Sequence, residues 1–295
     1  MLVLVGERTS KVLQSVVSVE VGDGDPCSSK DMRGNNKLAT TEGSEHSQVG
    51  IRACPPKKVA GQLAQLECIY TNVCSMGNKQ EELEAIIQQE NYDIVAITET
   101  WWEDSHNWSA AIDGYQLFRR DRQGRRGGGV ALYVRVRFEC LELNNVNDSV
   151  ECLWVRIKEK ANKTDIMVGV SYRLPNQDVE ADEILCKQLA EVLRSLTFVL
   201  MGDFNFPDVC WKYNTTEREQ SWRFLECVED DFLTQLVREA TRESALLDLL
   251  LVNREGLVGD VKVGGRLGQS DHEIIEFSIL GEARRGASRT ATLDF

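Results

Sequence analysis

The sequence has few prolines and no long uninterrupted apolar run. Five prolines in 295 residues exclude a collagen-like or proline-rich chain. Nowhere do about 18 apolar residues stand in succession, so a membrane-spanning helix is not expected. The apolar run after Met1 is short and lacks the basic lead-in of a secretory signal peptide. We therefore expect a nuclear or cytoplasmic protein that is neither secreted nor bound to a membrane.

Histidine is also scarce, and the cysteines lack a metal-binding pattern. The three histidines are too scattered for a local histidine metal cluster, and none of the nine cysteines belongs to a CxxC pair. An odd number of cysteines without that spacing argues against a disulfide framework and a zinc ribbon. Reduced thiols are the simpler interpretation.

Positive charge is in deficit, because 34 basic residues stand against 47 acidic ones and the net charge is −13. This balance argues against a protein that coats nucleic acid by bulk electrostatic attraction. It leaves open a nucleic-acid enzyme with a local basic patch beside a carboxylate-rich metal site. What is present, 42% hydrophobic and 27% charged residues, is typical of a globular protein.

The chain divides into three parts by its hydrophobic pattern. Residues 1–60 carry no lasting hydrophobic period and end near two prolines, which predicts a disordered or loosely ordered leader. Residues 61–280 carry regular strand and helix patterns and form the expected domain. Residues 281–295 are expected to be a flexible tail.

Within the expected domain, strand patterns occur partly in succession and partly between helices. About nine strands and three or four helices in this arrangement favour an α/β sandwich with two mixed sheets. The predicted strands are 65–71, 93–98, 128–138, 152–158, 166–172, 197–201, 246–252, 260–264 and 273–279. The predicted helices are 79–90, 181–196, 222–228 and 231–237.

Polar side chains stand where several apolar strands end, and they include four carboxylates. Such carboxylates repel one another unless a cation or a proton lies among them. Oxygen ligands suit a hard ion, Mg²⁺ or Mn²⁺, which is the usual equipment for attack on a phosphate ester. The residues are Asn72, Glu99, Tyr172, Asp203, Asn205, Asp248, Asp271 and His272.

Two of these groups allow a more specific expectation. Asp203 and Asn205 alternate, so in an extended segment both point to one face, while Gly202 permits a close approach of the backbone. A plain turn with side-chain hydrogen bonds is the alternative. Asp248 interrupts an apolar run and needs a partner, for which His272 is the natural candidate.

Six short motifs in this order resemble the endonuclease/exonuclease/phosphatase superfamily over residues 65–280. They are YTNVCS at 70–75, ITET at 97–100, VSYRLPN at 170–176, MGDFN at 201–205, LLDL at 246–249 and SDH at 270–272. The segments ETWW, RRGGGVALY and DVCW resemble the apurinic-type endonuclease of jockey-group non-LTR retrotransposons. The resemblance implies a four-layered α/β sandwich of two mixed β-sheets flanked by helices, and a Mg²⁺-dependent or Mn²⁺-dependent DNA endonuclease.

The resemblance also implies roles for individual residues. Glu99 would hold the divalent ion, with Asn72 and Asp271 close to it. Asp203 would orient or deprotonate the attacking water, and Asn205 would position it. Tyr172 and His272 would donate hydrogen bonds to phosphate oxygens, and Asp248 would orient His272. Cys74 stands where many relatives carry Asp or Asn, and Asn176 would contact the substrate.

Five arginines lie within the eight residues 119–126, before a run of three glycines. They are Arg119, Arg120, Arg122, Arg125 and Arg126. Either they form a solvated hairpin tip or they contact DNA phosphates, away from the strand-end carboxylates. A phosphatase acting on a small phosphate, and a catalytically silent remnant of a retrotransposon, are the alternatives to an endonuclease. Nothing in the sequence points to an obligate protein partner.

Overall fold

The structure is a computed structural model. It describes residues 65–103, 110–124, 127–143, 149–158, 165–193 and 197–281. The expected leader, and the expected tail apart from Gly281, lie outside the described residues. Within those ranges no helix has both the length and the apolar character to cross a membrane.

Twelve strands and three helices make up the described part of the chain. In order they are β1 (Gln65–Asn72), α1 (Gln80–Glu90), β2 (Ile94–Thr98), β3 (Tyr115–Arg120), β4 (Val130–Arg135), β5 (Glu139–Leu143), β6 (Glu151–Lys158), β7 (Ile166–Tyr172), α2 (Val179–Val192), β8 (Thr197–Asp203), α3 (Glu219–Asp230), β9 (Thr234–Gln235), β10 (Asp248–Val252), β11 (Val258–Val263) and β12 (Ile275–Leu280). All nine predicted strands and three of the four predicted helices are confirmed.

The strands form two mixed sheets of six. The first has the order β11-β12-β1-β2-β4-β3, and the second has the order β5-β6-β7-β8-β10-β9. In each sheet one neighbouring pair is parallel, β1 with β2 and β7 with β8, and the other pairs are antiparallel. Parallel strands end at the same edge of a sheet, so each sheet presents two strand ends together.

Three apolar layers hold the sheets and helices together. Alternate side chains of both sheets, such as Ala96 and Val168, form the central layer between them. Leu83 of α1 packs on the outer face of the first sheet, and Leu185 of α2 and Phe224 of α3 pack on that of the second. The result is the expected four-layered α/β sandwich, with helices on both outer faces.

The fourth predicted helix, over 231–237, is wrong. The chain leaves α3 at Asp230, and Phe232 takes a left-handed conformation, with φ of 53°, and is 86% exposed. Leu233 and Val237 are buried instead, on either side of the short strand β9, which pairs with β10. Apolar residues spaced for a helix face here bury themselves across a turn and an edge strand.

Candidate active site

The ends of β1 and β8 bring the two sheets into direct contact at one edge of the sandwich. Asn72 is the last residue of β1, and its Nδ2 donates to Glu99 Oε1 at 3.1 Å and to Asp203 Oδ2 at 2.9 Å. Its Oδ1 accepts from the backbone N–H of Cys74 at 3.0 Å. Asn72 is fully buried, so its amide keeps two carboxylates of different sheets at fixed positions.

Glu99 directly follows β2 and has strained backbone geometry. Its φ is 55°, in the left-handed region that residues with a side chain rarely adopt. The carboxylate is half-buried, and Oε2 accepts from the indole Nε1 of Trp101 at 3.1 Å. Strain of this kind persists only where the surroundings fix it, and it concentrates at functional sites.

Asp203 ends β8 and is a buried carboxylate with unusual electrostatics. Its Oδ2 accepts from Asn72, its Oδ1 accepts from the backbone of Asn205 at 3.0 Å, and 1% of the residue is exposed. Burial, followed by the charge of Asp248, raises the pKa of Asp203 well above its ordinary value. The ionised form of this carboxylate is therefore disfavoured by its burial and by the neighbouring negative charge.

Gly202 permits the expected close approach. A Cβ at this position would lie 1.9 Å from the carbonyl oxygen of Ser171, its partner in the parallel β7–β8 pair. The extended geometry expected for Asn205 is wrong, because Asn205 has φ of 49°. Its backbone N–H closes a turn onto Asp203, as in the alternative interpretation, and its Nδ2 donates to the carbonyl of Arg173 at 2.8 Å.

Asp248 and His272 form the expected pair. His272 Nδ1 lies 2.7 Å from Asp248 Oδ2, and both residues are buried. The other oxygen of Asp248 accepts from the Tyr70 hydroxyl at 2.6 Å. Asp248 opens β10, opposite Asp203 of β8 in the antiparallel register. The imidazole is thereby oriented with Nε2 4.0 Å from Asp203 Oδ2 and 4.0 Å from Asp271 Oδ1.

The protonation of His272 follows from these neighbours. Burial lowers its pKa, but the hydrogen bond and charge of Asp248, together with the charges of Asp203 and Asp271, outweigh burial and raise the pKa above the ordinary value. A protonated imidazole at this position can donate from Nε2.

Asp271 lies at the exposed side of the site, with 45% of its side chain accessible. Its Oδ2 pairs with Arg242 at 2.7 Å, and its Oδ1 accepts from the Cys74 thiol at 3.0 Å. Burial, the hydrogen bond to Asp271 and the charges of Glu99 and Asp271 raise the pKa of Cys74 to about 12. Cys74 is thus a neutral donor that links Asp271 to the turn after β1.

Tyr172 ends β7 and faces the same acidic group. Burial and the charges of Glu99 and Asp203 raise the pKa of its hydroxyl, which keeps it a hydrogen-bond donor. The guanidinium of Arg122 lies 5.5 Å from the ring centre and is itself paired with Glu151.

The three described arginines, Arg119, Arg120 and Arg122, do not lie at a solvated tip. Arg119 and Arg120 belong to β3 and are half-buried. Arg119 pairs with Asp121 at 2.9 Å and lies over Trp102. Arg122 adjoins Tyr172, so the expectation that it lies away from the site is wrong. Arg125 and Arg126 lie outside the described residues.

Asn176 is exposed in the turn from Leu174 to Gln177, whose backbone closes at 3.1 Å. No described contact joins it to the buried cluster. The cluster contains two residues that the sequence reasoning missed, Tyr70 and Arg173. Both stand inside the motifs YTNVCS and VSYRLPN, so the motifs themselves were the available signal.

The described residues fit a hard divalent cation. Carboxylates from four separate segments, Glu99, Asp203, Asp248 and Asp271, meet around the donor amide of Asn72 and the imidazole of His272. Acidic and histidine side chains close enough to share an ion include Asp203, Asp248 and His272. Oxygen-rich donors favour Mg²⁺ or Mn²⁺ over a soft metal.

This fold and this cluster of strand-end carboxylates with a His–Asp pair are those of a phosphate-ester hydrolase. The chain belongs to the Endonuclease/Exonuclease/phosphatase family, whose model matches residues 69–272, more than half of its length. No curated protein sequence matches it.

Solved structures share the fold at low sequence identity. The endonuclease domain of TRAS1, a telomere-specific non-LTR retrotransposon, is 15% identical, with a TM-score of 0.59 over 72% of this chain and 98% of that one. The AP endonuclease LMAP from Leishmania major is 14% identical, with a TM-score of 0.58 over 74% and 88%. The 3′ phosphatase NExo from Neisseria, bound to a product DNA hairpin, is 15% identical, with a TM-score of 0.56 over 72% and 99%.

Proposed function

We propose that the chain is a divalent-metal-dependent endonuclease that hydrolyses phosphodiester bonds in DNA and nicks one strand. The observation that carries the proposal is the contact between the sheets at their shared edge. Asn72 bridges Glu99 and Asp203, and the Asp248–His272 pair lies beside them. A metal-binding carboxylate, a buried acid–base group and a cationic donor thus surround one point.

Asp203 is the proposed group that orients and deprotonates the attacking water. Its raised pKa makes it a better proton acceptor than an ordinary aspartate once it is ionised. Asn72 and the backbone of Asn205 hold its two oxygens, which fixes the direction of the carboxylate. The adjacent Asn205 side chain positions the same water.

Glu99 and Asp271 would hold the divalent ion, with Asn72 close to both. A bound ion would polarise the phosphate and stabilise its charge. In this geometry Asn72 acts mainly as a donor that keeps Glu99 in place. Cys74 adds a neutral hydrogen bond to Asp271, where a carboxylate or amide would otherwise supply an oxygen.

His272 and Tyr172 are the proposed donors to the phosphate oxygens. Asp248 holds the imidazole by Nδ1, so that Nε2 is directed toward the acidic cluster. The raised pKa values of both donors keep their protons available as negative charge develops on the phosphate.

DNA is the proposed substrate because cationic side chains adjoin the site. Arg122 lies over Tyr172, and Arg125 and Arg126 follow it in the sequence. Cations placed beside the reacting phosphate allow an acidic protein to bind a polyanion. Two of the similar structures, a retrotransposon endonuclease and an AP endonuclease, support this choice, and hydrolysis of a small phosphate monoester is the alternative.

A plasmid nicking assay tests the proposal. The full chain should convert supercoiled plasmid to the open circle with Mg²⁺ and not with EDTA. Release of inorganic phosphate from a small monoester, without nicking, would favour the phosphatase. Absence of both activities would favour a silent remnant.

A further inference from the structure

Arg173, directly after Tyr172, is almost fully buried and pairs with a buried aspartate. It is 3% exposed, and its Nε and Nη2 donate to the two oxygens of Asp182 at 2.9 Å each. This two-bonded pair fixes the plane of the guanidinium. Asp182 lies in the first turn of α2, on the outer side of the second sheet.

The remaining face of Arg173 is directed at the candidate active site. Its Nη1 donates to the carbonyls of Leu174 at 3.1 Å and Asn205 at 3.3 Å. In return, Asn205 Nδ2 donates to the carbonyl of Arg173 at 2.8 Å. The two residues are therefore joined by a hydrogen bond in each direction.

Asp182 is itself held, so the arginine cannot easily move. Gln177 donates to Asp182 Oδ1 at 2.7 Å, and Gln220 of α3 donates to Oδ2 at 2.6 Å. The guanidinium also lies 3.9 Å from the ring centre of Phe206. One rigid network thus extends from α2 and α3 to the loop after β8.

Asn205 needs such support because its backbone is left-handed, with φ of 49°. The bond from Nδ2 to the Arg173 carbonyl also assigns the ends of the amide, since a carbonyl accepts only from the nitrogen. Oδ1 is then the end that can accept from a donor such as a water molecule.

We propose that Arg173 is a positioning residue that fixes Asn205 so that Oδ1 accepts from the attacking water. The catalytic part of this role rests on the proposed function. The hydrogen bonds by which Arg173 holds Asn205 do not depend on it. A lysine keeps the positive charge and loses the planar fork that reaches Asp182 and two carbonyls at once.

Arg173→Lys in the full chain is the principal test. We expect kcat for nicking to fall about 10²-fold with KM changed less than about threefold, because water is misplaced while DNA still binds. Backbone hydrogen exchange over residues 203–209 should quicken at least about tenfold. Arg156→Lys is the control variant, because it alters an Arg–Asp pair at the ends of β6 and β7 that are opposite the site, and it should change neither quantity.

A double variant separates positioning from general loosening. In an Asn205→Ala background, adding Arg173→Lys should cost less than about threefold, since the group through which Arg173 acts is gone. A further 10²-fold loss would overturn the proposal. Unchanged exchange over 203–209 would overturn it whether or not the chain cleaves DNA, whereas an inert wild-type chain overturns only the proposed function. Should Arg173→Lys not fold, Gln220→Ala, which removes one bond to Asp182, carries the same exchange and rate tests.

Discussion

Asn72 and Asp203, 131 positions apart in the sequence, are joined by a hydrogen bond of 2.9 Å between the last residues of two strands in different sheets. Neither side chain is more than 1% exposed. The contact sets the distance between the edges of the two sheets at the point where the proposed chemistry takes place. Asp203 is therefore both a structural hydrogen-bond acceptor and the proposed acid–base group. A substitution of Asp203 must be tested for its effect on the fold as well as on the nicking rate.

Asp203→Asn should lower the nicking rate by about 10² to 10⁴ with the fold intact. The amide keeps the size of the side chain but cannot take a proton from water. Nicking of supercoiled plasmid and circular dichroism measure the two effects. Asp113→Asn, the same chemical change at an exposed position, should leave both unchanged. Near wild-type nicking by Asp203→Asn would refute the assignment.

The same carboxylate should make the metal-free chain less stable as pH rises. Because burial and the charge of Asp248 raise its pKa, folded Asp203 binds a proton more tightly than unfolded Asp203. Stability is then retained at low pH and lost as pH rises toward and through the raised pKa. Asparagine does not titrate, so Asp203→Asn should not lose this stability. The melting temperature of Asp203→Asn minus that of wild type should therefore increase from pH 5 to pH 8 in EDTA.

Two observations would check the origin of this pH effect. Mg²⁺ at pH 8 should raise the melting temperature of wild type more than that of Asp203→Asn, because an added cation offsets charge that the variant lacks. A difference between the two proteins that stays constant from pH 5 to pH 8 would contradict the raised pKa of Asp203.

Asp248→Asn should lower the pKa of His272. The carboxylate supplies the largest upward contribution, by a hydrogen bond and by its charge, and the amide keeps only a neutral contact. An NMR titration of the histidine signals of the metal-free chain measures the pKa of His272. The His272→Gln variant assigns the signal. Tyr70→Phe removes the other hydrogen bond to Asp248 but leaves its charge, and should preserve most of the elevation. If the pKa of His272 is unchanged in Asp248→Asn, the contact with Asp248 is not what raises the pKa of His272.

The sequence reveals the strand-end residues more readily than the residues that hold them. Glu99 and Asp203 follow short apolar runs, so a local pattern exposes them. Tyr70 lies inside β1 and looks like any core aromatic until its hydroxyl is seen 2.6 Å from Asp248, 178 positions away. Arg173 resembles a surface arginine because its partner, Asp182, belongs to the polar first turn of a helix. Only the packed fold brings such partners together.

Two of the three strands that the sequence did not predict were missed for a related reason. β3 and β5 are neither fully buried nor regularly alternating, and β3 is half-buried at every position. Both lie at sheet edges, where one side of the strand has no neighbour and hydrophobic selection is weak. Because β3 carries Arg119 and Arg120, missing it also placed the arginines on a loop rather than on a strand with partners.

Replacing Arg125 and Arg126 with alanine should weaken DNA binding more than turnover on saturating substrate. Each phosphate contact releases counterions, so the slope of log affinity against log salt should become shallower by roughly 0.9 for each phosphate that is no longer neutralised. Arg122→Gln should behave in the opposite way, because Arg122 lies over Tyr172 and is paired with Glu151. This substitution should reduce turnover more than affinity.

Lys158→Ala with Lys187→Ala removes two charges away from the site and is the control for net charge. Lys158 is the last residue of β6, at the opposite end of that strand from Glu151, and Lys187 is exposed on α2. If bulk charge alone governed binding, this control would flatten the salt dependence as much as the Arg125 and Arg126 double variant does. If the arginines contact phosphates, only their variant changes the slope, since counterion release depends on local contact. Equal slopes for wild type, the arginine variant and the lysine variant would mean that other surfaces bind DNA, and would remove Arg125 and Arg126 from the proposed interface.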